Sequence, residues 1–194
     1  MFDKKYYESN NYTNYLDRQD RYVRLAEEIS DFLSKMNLLQ EPVLDFGCAV
    51  GFLLKGLEER NIDCYGVDIS DWAIKKAIER GHDVRKEVDW DKTHGVVFGL
   101  DVFEHMSFND LKDFFEKIKT KAIVFRIPVC ANPGEDYVLE CSRADPTHNI
   151  CWTKELWTNW FRSYGFLCIE LNLSTIYNSK GVYSALAIRH DAEC

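Results

Sequence analysis

Asp45-Phe46-Gly47-Cys48-Ala49-Val50-Gly51, with Asp68 further on, is the segment of this chain whose residue types and spacing most clearly imply chemistry. Glycines at 47 and 51 let the backbone pass close to a ligand and let a helix begin with no Cβ in the way. The first turn of such a helix offers unpaired N–H groups to a carboxylate or a phosphate. Asp68 stands 21 residues past Gly47, where an acid at the end of a second strand can hold both hydroxyls of a ribose. A dinucleotide site uses Gly-x-Gly-x-x-Gly, which is absent here, and Asp45 beside the first glycine would repel a pyrophosphate. The same carboxylate would favour an ammonium group. The pattern points to a nucleoside ligand that carries an amino acid and no phosphate.

Two histidines form a second set. His105 closes Asp101-Val102-Phe103-Glu104-His105, and His148 closes Asp145-Pro146-Thr147-His148. Imidazole is the side chain whose ordinary pKa suits general-base work near neutrality, so each is a candidate catalytic base. Each also has a plainer reading, His105 as a helix cap and His148 as a loop-bonding residue. Arg126 and Arg143 could hold an anionic acceptor, although surface arginine is the default. The tyrosines at 6, 7, 12 and 15 could close over a cationic ligand, since aromatic faces attract cations. Cys130, Cys141, His148 and Cys151 could in principle bind zinc, but only His148 and Cys151 have a short ligand spacing. No structural metal is expected, and the thiols read as ordinary core and loop residues.

The elements that position these residues alternate. Residues 19–36 carry apolar side chains at helical spacing, from Tyr22 and Leu25 to Leu33 and Met36. Strands are expected at 43–46, 64–68, weakly at Val84, at 95–100 and at 122–125. Helices follow Gly51, Ser70 (71–80, stopped by Gly81) and the stripe Leu111, Phe114, Phe115, Ile118. Residues 128–150 read as a long loop. Thr153 caps a helix that ends at Gly165, and β-rich runs at 166–173 and 182–189 are joined by Asn178-Ser179-Lys180-Gly181, a hairpin signal. The expected fold is α/β: a Rossmann-like open sheet, mostly parallel, with a C-terminal antiparallel hairpin and helices on both faces. Its ligand should lie beyond the carboxyl ends of the strands, beside the first. With no linker or repeat, residues 1–194 read as one domain, 1–40 being a helical lid or extension on a core of 41–194.

A net charge of −8 opposes a nucleic-acid partner, which needs a Lys/Arg surface. The content is 46% hydrophobic and 14% aromatic, enough to build a core without staples. The seven scattered cysteines, an odd count, suit reduced thiols better than a disulfide framework. No apolar run approaches the ~20 residues that span a bilayer. A soluble, cytoplasmic protein with no membrane contact is expected, as monomer or homodimer.

Val43 to Gly51 resembles the first motif of class I S-adenosylmethionine (SAM)-dependent methyltransferases. Gly66-Val67-Asp68-Ile69-Ser70 is similar to their ribose-binding strand end. Asp101-x-x-Glu104-His105 resembles the D-x-x-E-H of the small-molecule branch, and Asp145-Pro146-Thr147-His148 followed by a helix and Gly165-Phe166 is similar to a late pattern of that branch. The likeness runs from about residue 40 to the C-terminus. It implies SAM as cofactor, held by Asp45, Gly47, Cys48, Gly51, Asp68, Ile69 and Asp101, with methyl transfer to an O or N atom of a small molecule and His105 or His148 as base. Ala49 departs from the family's middle glycine, and the adenine-side acid is open between Glu87 and Asp89. The alternatives are an inactive SAM-binding scaffold and, more remotely, a nucleic-acid methyltransferase, whose Asn/Asp-Pro-Pro-aromatic motif is missing after the fourth strand.

Overall fold

A computed structural model describes residues 2–8 and 14–190. A short helix α1 (Lys4–Tyr7) and a 3-10 turn (Tyr15–Asp17) precede α2 (Gln19–Lys35). Then follow β1 (Val43–Phe46), α3 (Phe52–Glu59), β2 (Cys64–Val67), α4 (Asp71–Glu79), β3 (Val84–Arg85) and β4 (His94–Leu100). A 3-10 turn (Phe103–His105) leads into α5 (Phe108–Lys117) and β5 (Thr120–Pro128). The chain closes with α6 (Glu140–Arg143), α7 (Lys154–Ser163), β6 (Phe166–Glu170) and β7 (Val182–Arg189).

The strands form one sheet in the order β3-β2-β1-β4-β5-β7-β6. The first five are parallel, and β7 inserts antiparallel between β5 and β6. Side chains alternate across the sheet as the pleat requires. Leu44, Val97 and Ile123 join one buried cluster with Leu111 and Phe114 of α5 and Trp157 and Phe161 of α7. Val43, Val96 and Val124 join the other with Leu25, Ile29 and Leu33 of α2 and Leu53 and Leu57 of α3. Helices therefore cover both faces, which explains why β4 is buried from His94 to Gly99 and shows no polar alternation.

Two expectations change. The run expected as a strand to 173 stops at Glu170, and a folded connection leads from there into the expected tight turn, where the N–H groups of Ser179 and Val182 donate to each other's carbonyls (3.1 and 3.2 Å). Leu171 and Ile176 are its anchors, buried in the α2 cluster. The Asn178 side chain donates to the carbonyls of Leu171 (2.8 Å) and Ser184 (2.9 Å) and accepts from the Ser184 N–H (3.1 Å). The 128–150 segment is likewise more ordered than a plain loop. It contains α6 and a bridge between Cys130 and Tyr137.

Candidate active site

The turn after β1 is built by backbone close approach. Gly47 (φ 79°) and Gly51 (φ 83°) are left-handed, and Ala49 between them is left-handed too, at φ 47°. A Cβ on Gly47 would lie 2.7 Å from Val102 Cγ2, so only glycine fits between this turn and the one after β4. The N–H groups of Gly47 and Cys48 donate to the Val67 carbonyl (2.8 and 3.1 Å), and the Ala49 N–H donates to Asp68 Oδ2 (2.8 Å). Asp68 also accepts from the Ser70 N–H at 2.8 Å. Burial raises its pKa, and those backbone donors offset part of the rise.

Asp45 is 4% exposed. Burial, with the nearby charge of Asp68, pushes its pKa up to about 8. Both acids line a cavity of about 290 Å³, and no described lysine or arginine lines it. A buried carboxylate with no cation beside it is costly to ionise, so this floor favours a ligand that brings positive charge and hydroxyl donors.

The N-terminal segment forms one wall of this cleft. Tyr7 stacks on Trp72 with centroids 5.1 Å apart, Ser70 Oγ donates to the Phe2 carbonyl, and the Phe2 ring meets His105 edge-on at 5.5 Å. Tyr6 reaches further, its hydroxyl donating to Asp145 Oδ2 at 3.1 Å. Tyr12 lies outside the described residues.

A second cavity, of about 340 Å³, adjoins the first, and Tyr15, Tyr22, Asp101 and His105 line both. Glu104, Arg126 and His148 face the second. Asp101, left-handed at φ 54°, is held by Arg126, whose Nε lies 3.0 and 2.9 Å from its two carboxylate oxygens. His105 and His148, 43 positions apart in sequence, have ring centroids 4.5 Å apart.

Their hydrogen bonds fix which nitrogen is free. Thr147 Oγ1 donates to Asp145 Oδ1 (2.5 Å), so it accepts from His105 Nδ1 (2.8 Å). His148 Nδ1 faces the Ser142 carbonyl at 3.0 Å and must donate there. Each Nε2 is thereby left with its lone pair. Burial, reinforced by His148, lowers the pKa of His105 to about 4, and burial lowers that of His148, so both rings are neutral at pH 7.

Of the residues expected to hold a cofactor, Asp45, Gly47, Cys48, Asp68, Ile69 and Asp101 line the first cavity. Gly51 stands behind it and launches α3. Neither Glu87 nor Asp89 lines the cleft. Arg126 is committed to Asp101, and Arg143 donates to the carbonyls of Tyr137 and Val138, so neither is a free anion clamp. The Cys130 and Cys151 thiols rest on the carbonyls of Cys151 and Glu135, and Cys141 is exposed. Sequence reasoning missed Tyr22 at the junction of the cavities and Thr147 behind His105. It also quoted Glu104 only as a motif letter, although its place beside His105 was the available signal.

An open α/β sheet in this strand order, with a nucleoside-sized acidic cleft at the carboxyl end of β1, defines the SAM-dependent methyltransferase class. Residues 16–180 match the model of the Methyltransferase domain family, and the chain belongs to that family. No curated protein matches it. Its fold is similar to that of a SAM dependent methyltransferase from Archaeoglobus fulgidus (TM-score 0.64, 20% identity, covering 91% of this chain and 100% of that one). It is also similar to an S-adenosylmethionine-dependent methyltransferase from Clostridium acetobutylicum ATCC 824 (TM-score 0.66, 12% identity, 93% and 99% covered). A third likeness is to magnesium protoporphyrin IX methyltransferase from Synechocystis PCC 6803 with bound SAM (TM-score 0.60, 14% identity, 88% and 80% covered).

Proposed function

We propose that this methyltransferase transfers the methyl group of SAM to an oxygen or nitrogen of a small molecule held in the second cavity. The observation that carries the reading is the junction: a cleft floored by two buried carboxylates shares Tyr15, Tyr22, Asp101 and His105 with a second cavity of about 340 Å³. Bound SAM supplies an electrophilic methyl on a cationic sulfonium. In this reading Asp45 takes the ammonium of its amino-acid part and Asp68 the ribose hydroxyls. Gly47, Cys48 and Ile69 shape the walls around it, Gly51 sets the helix behind, and Asp101 stands where the methyl end meets the acceptor. Residues 1–40 act as a lid on the single domain, through the contacts of Phe2, Tyr6 and Tyr7. Holding acceptor and methyl in near-attack geometry does most of the work, because oriented reactants reach effective molarities of ~10⁵ M or more.

His105 and His148 are the catalytic pair in this reading. Their free Nε2 atoms are the basic groups at the acceptor end, and drawing charge off the acceptor is their role. The net charge of −8 and the absence of a described helix long and apolar enough to cross a membrane favour a small-molecule acceptor over nucleic acid or lipid. Free thiols at the six described cysteines suit the reducing cytoplasm.

A thermal-shift panel with SAM, S-adenosylhomocysteine (SAH), NAD and NADP tests the cofactor. A ligand at 100 times its Kd adds about 2.7 kcal/mol of stability, which is readily seen, and only SAM and SAH should produce it. With an acceptor in hand, His105→Ala and His148→Ala should each lower turnover by about 10²-fold or more while SAM still binds. Full turnover in the double variant would remove the pair from the mechanism.

A further inference from the structure

Glu104 is 1% exposed, and its Oε2 has no hydrogen-bond partner. A buried, unpaired carboxylate oxygen is rare in folded proteins, and where it persists a bound ion is among the ordinary explanations. One carboxylate oxygen of Glu104 and one ring nitrogen each of His105 and His148 all lie within 4.8 Å of one another. Since each Nδ1 is already engaged, the nitrogens available are the Nε2 atoms.

We propose that Glu104, His105 and His148 bind a divalent first-row transition-metal ion, such as Mn²⁺, Fe²⁺, Co²⁺ or Zn²⁺, at the acceptor end of the active site. This replaces the expectation of a metal-free chain. It rests on the reading of the second cavity as the acceptor site only for its purpose. The binding itself is argued from the residues.

Three observations support it besides the orphaned oxygen. First, both histidines carry the outer bonds that metal-binding imidazoles use, where the second ring nitrogen donates to a carbonyl or, through a hydroxyl, to a carboxylate. His148 donates to the Ser142 carbonyl, and His105 is backed by Thr147 and then Asp145. Second, the two segments that bring the ligands are laced together. The Glu104 carbonyl accepts from the N–H groups of Asn149 (2.8 Å) and Ile150 (3.1 Å), and Asn149 Nδ2 donates to the His105 carbonyl (2.7 Å). Third, all three side chains line the second cavity, so the remaining coordination positions would face the acceptor. Three protein ligands with open positions is the arrangement of catalytic metal sites, whereas structural ones are closed. Two imidazoles and one carboxylate suit mid-row ions, while Mg²⁺ and Ca²⁺ prefer all-oxygen shells.

With a cation bound, the two Nε2 lone pairs are its ligands and no longer proton acceptors, and the cation in their place would act as a Lewis acid on an acceptor hydroxyl. The hydroxyl gives its proton to water, its oxygen forms the bond to the methyl carbon, and the sulfur keeps the electrons of the broken S–C bond as a neutral thioether. The inference thus narrows the acceptor to a molecule with an ionisable hydroxyl.

The test uses the full chain after chelator treatment. Co²⁺ is titrated in and followed by its visible absorption, Mn²⁺ by loss of the free-ion EPR signal, and SAH by calorimetry on the same samples. One ion per chain is expected. Glu104→Gln and His148→Ala should each weaken metal binding by about tenfold or more. SAH affinity should hardly move in His148→Ala, since His148 does not line the cofactor cleft. Failure of both ions to bind a chain that still binds SAH would overturn the inference and leave the methyl-transfer reading standing. So would metal affinity unchanged in both variants. Stoichiometric metal in a chain that ignores SAH would uphold the site and overturn the cofactor reading instead.

Discussion

Asp45 is asked to stay in a place where ionisation is expensive, and the expense makes sense only with a cation in front of it. In the ligand-free chain its pKa is about 8, against about 3.9 for an unfolded aspartate. Between those values the folded state holds a proton that the unfolded state has released, so this residue makes stability fall as pH rises toward 8. Asp45→Asn removes that penalty. It should raise the melting temperature of the ligand-free protein at pH 8, by ~2–4 °C per kcal/mol recovered, and should weaken SAM binding. A variant less stable at pH 8, or one with undiminished affinity, contradicts the assigned role. Asp45 was legible in the sequence because it stands two residues before the first glycine of the turn. The isolation of Glu104 was not, since its burial depends on Asn149 and Ile150 folding back across it from a distant segment.

At the scale of elements, the turn after β1 shows a local choice that the surrounding fold overrides. Ala49 adopts φ 47°, a region that costs a residue with a Cβ roughly 1–2 kcal/mol. Ala49→Gly relieves that strain but frees the unfolded chain, an opposing effect of about 0.4–1 kcal/mol. The net expectation is a gain of about 0–1.6 kcal/mol in chemical denaturation, with SAM binding retained. A destabilised Ala49→Gly protein would mean that the alanine methyl contributes packing the turn needs. Helices α2, α4, α5 and α7 were readable from their apolar stripes and from the caps Ser70 and Thr153, both of which accept a backbone N–H as expected. The connection between β6 and β7 was readable only in part. Gly181 and its polar neighbours read as a tight turn, which Ser179 and Val182 close, but the burial of Leu171 and Ile176 beneath α2 shortens β6 in a way no local pattern announces. The length of β5 was also understated, because Thr120 and Lys121 at its start look like loop residues, although Thr120 pairs with His94 of β4.

For the molecule as a whole, the sheet order brings every proposed functional residue to one end, and the N-terminal segment covers that end from outside. The covering contacts are aromatic: Tyr7 on Trp72, Phe2 on His105, Tyr15 on Phe52. Deleting residues 1–18 should leave a folded core that binds SAM less tightly, with turnover reduced sharply once an acceptor is known. Equal affinity and turnover in the truncated chain would show the segment to be packing alone. The measurement that bears most directly on the account is calorimetric titration of SAM into the wild-type chain and into Asp68→Ala, with Asp68→Asn as a control that preserves the acceptor for the Ala49 N–H. One SAM per wild-type chain is expected, with affinity reduced by roughly 1.5–3 kcal/mol, or about 10–150-fold, in Asp68→Ala. Failure of SAM to bind the wild-type chain, or equal affinity in the two, would contradict the claim that this acidic cleft holds the methyl donor.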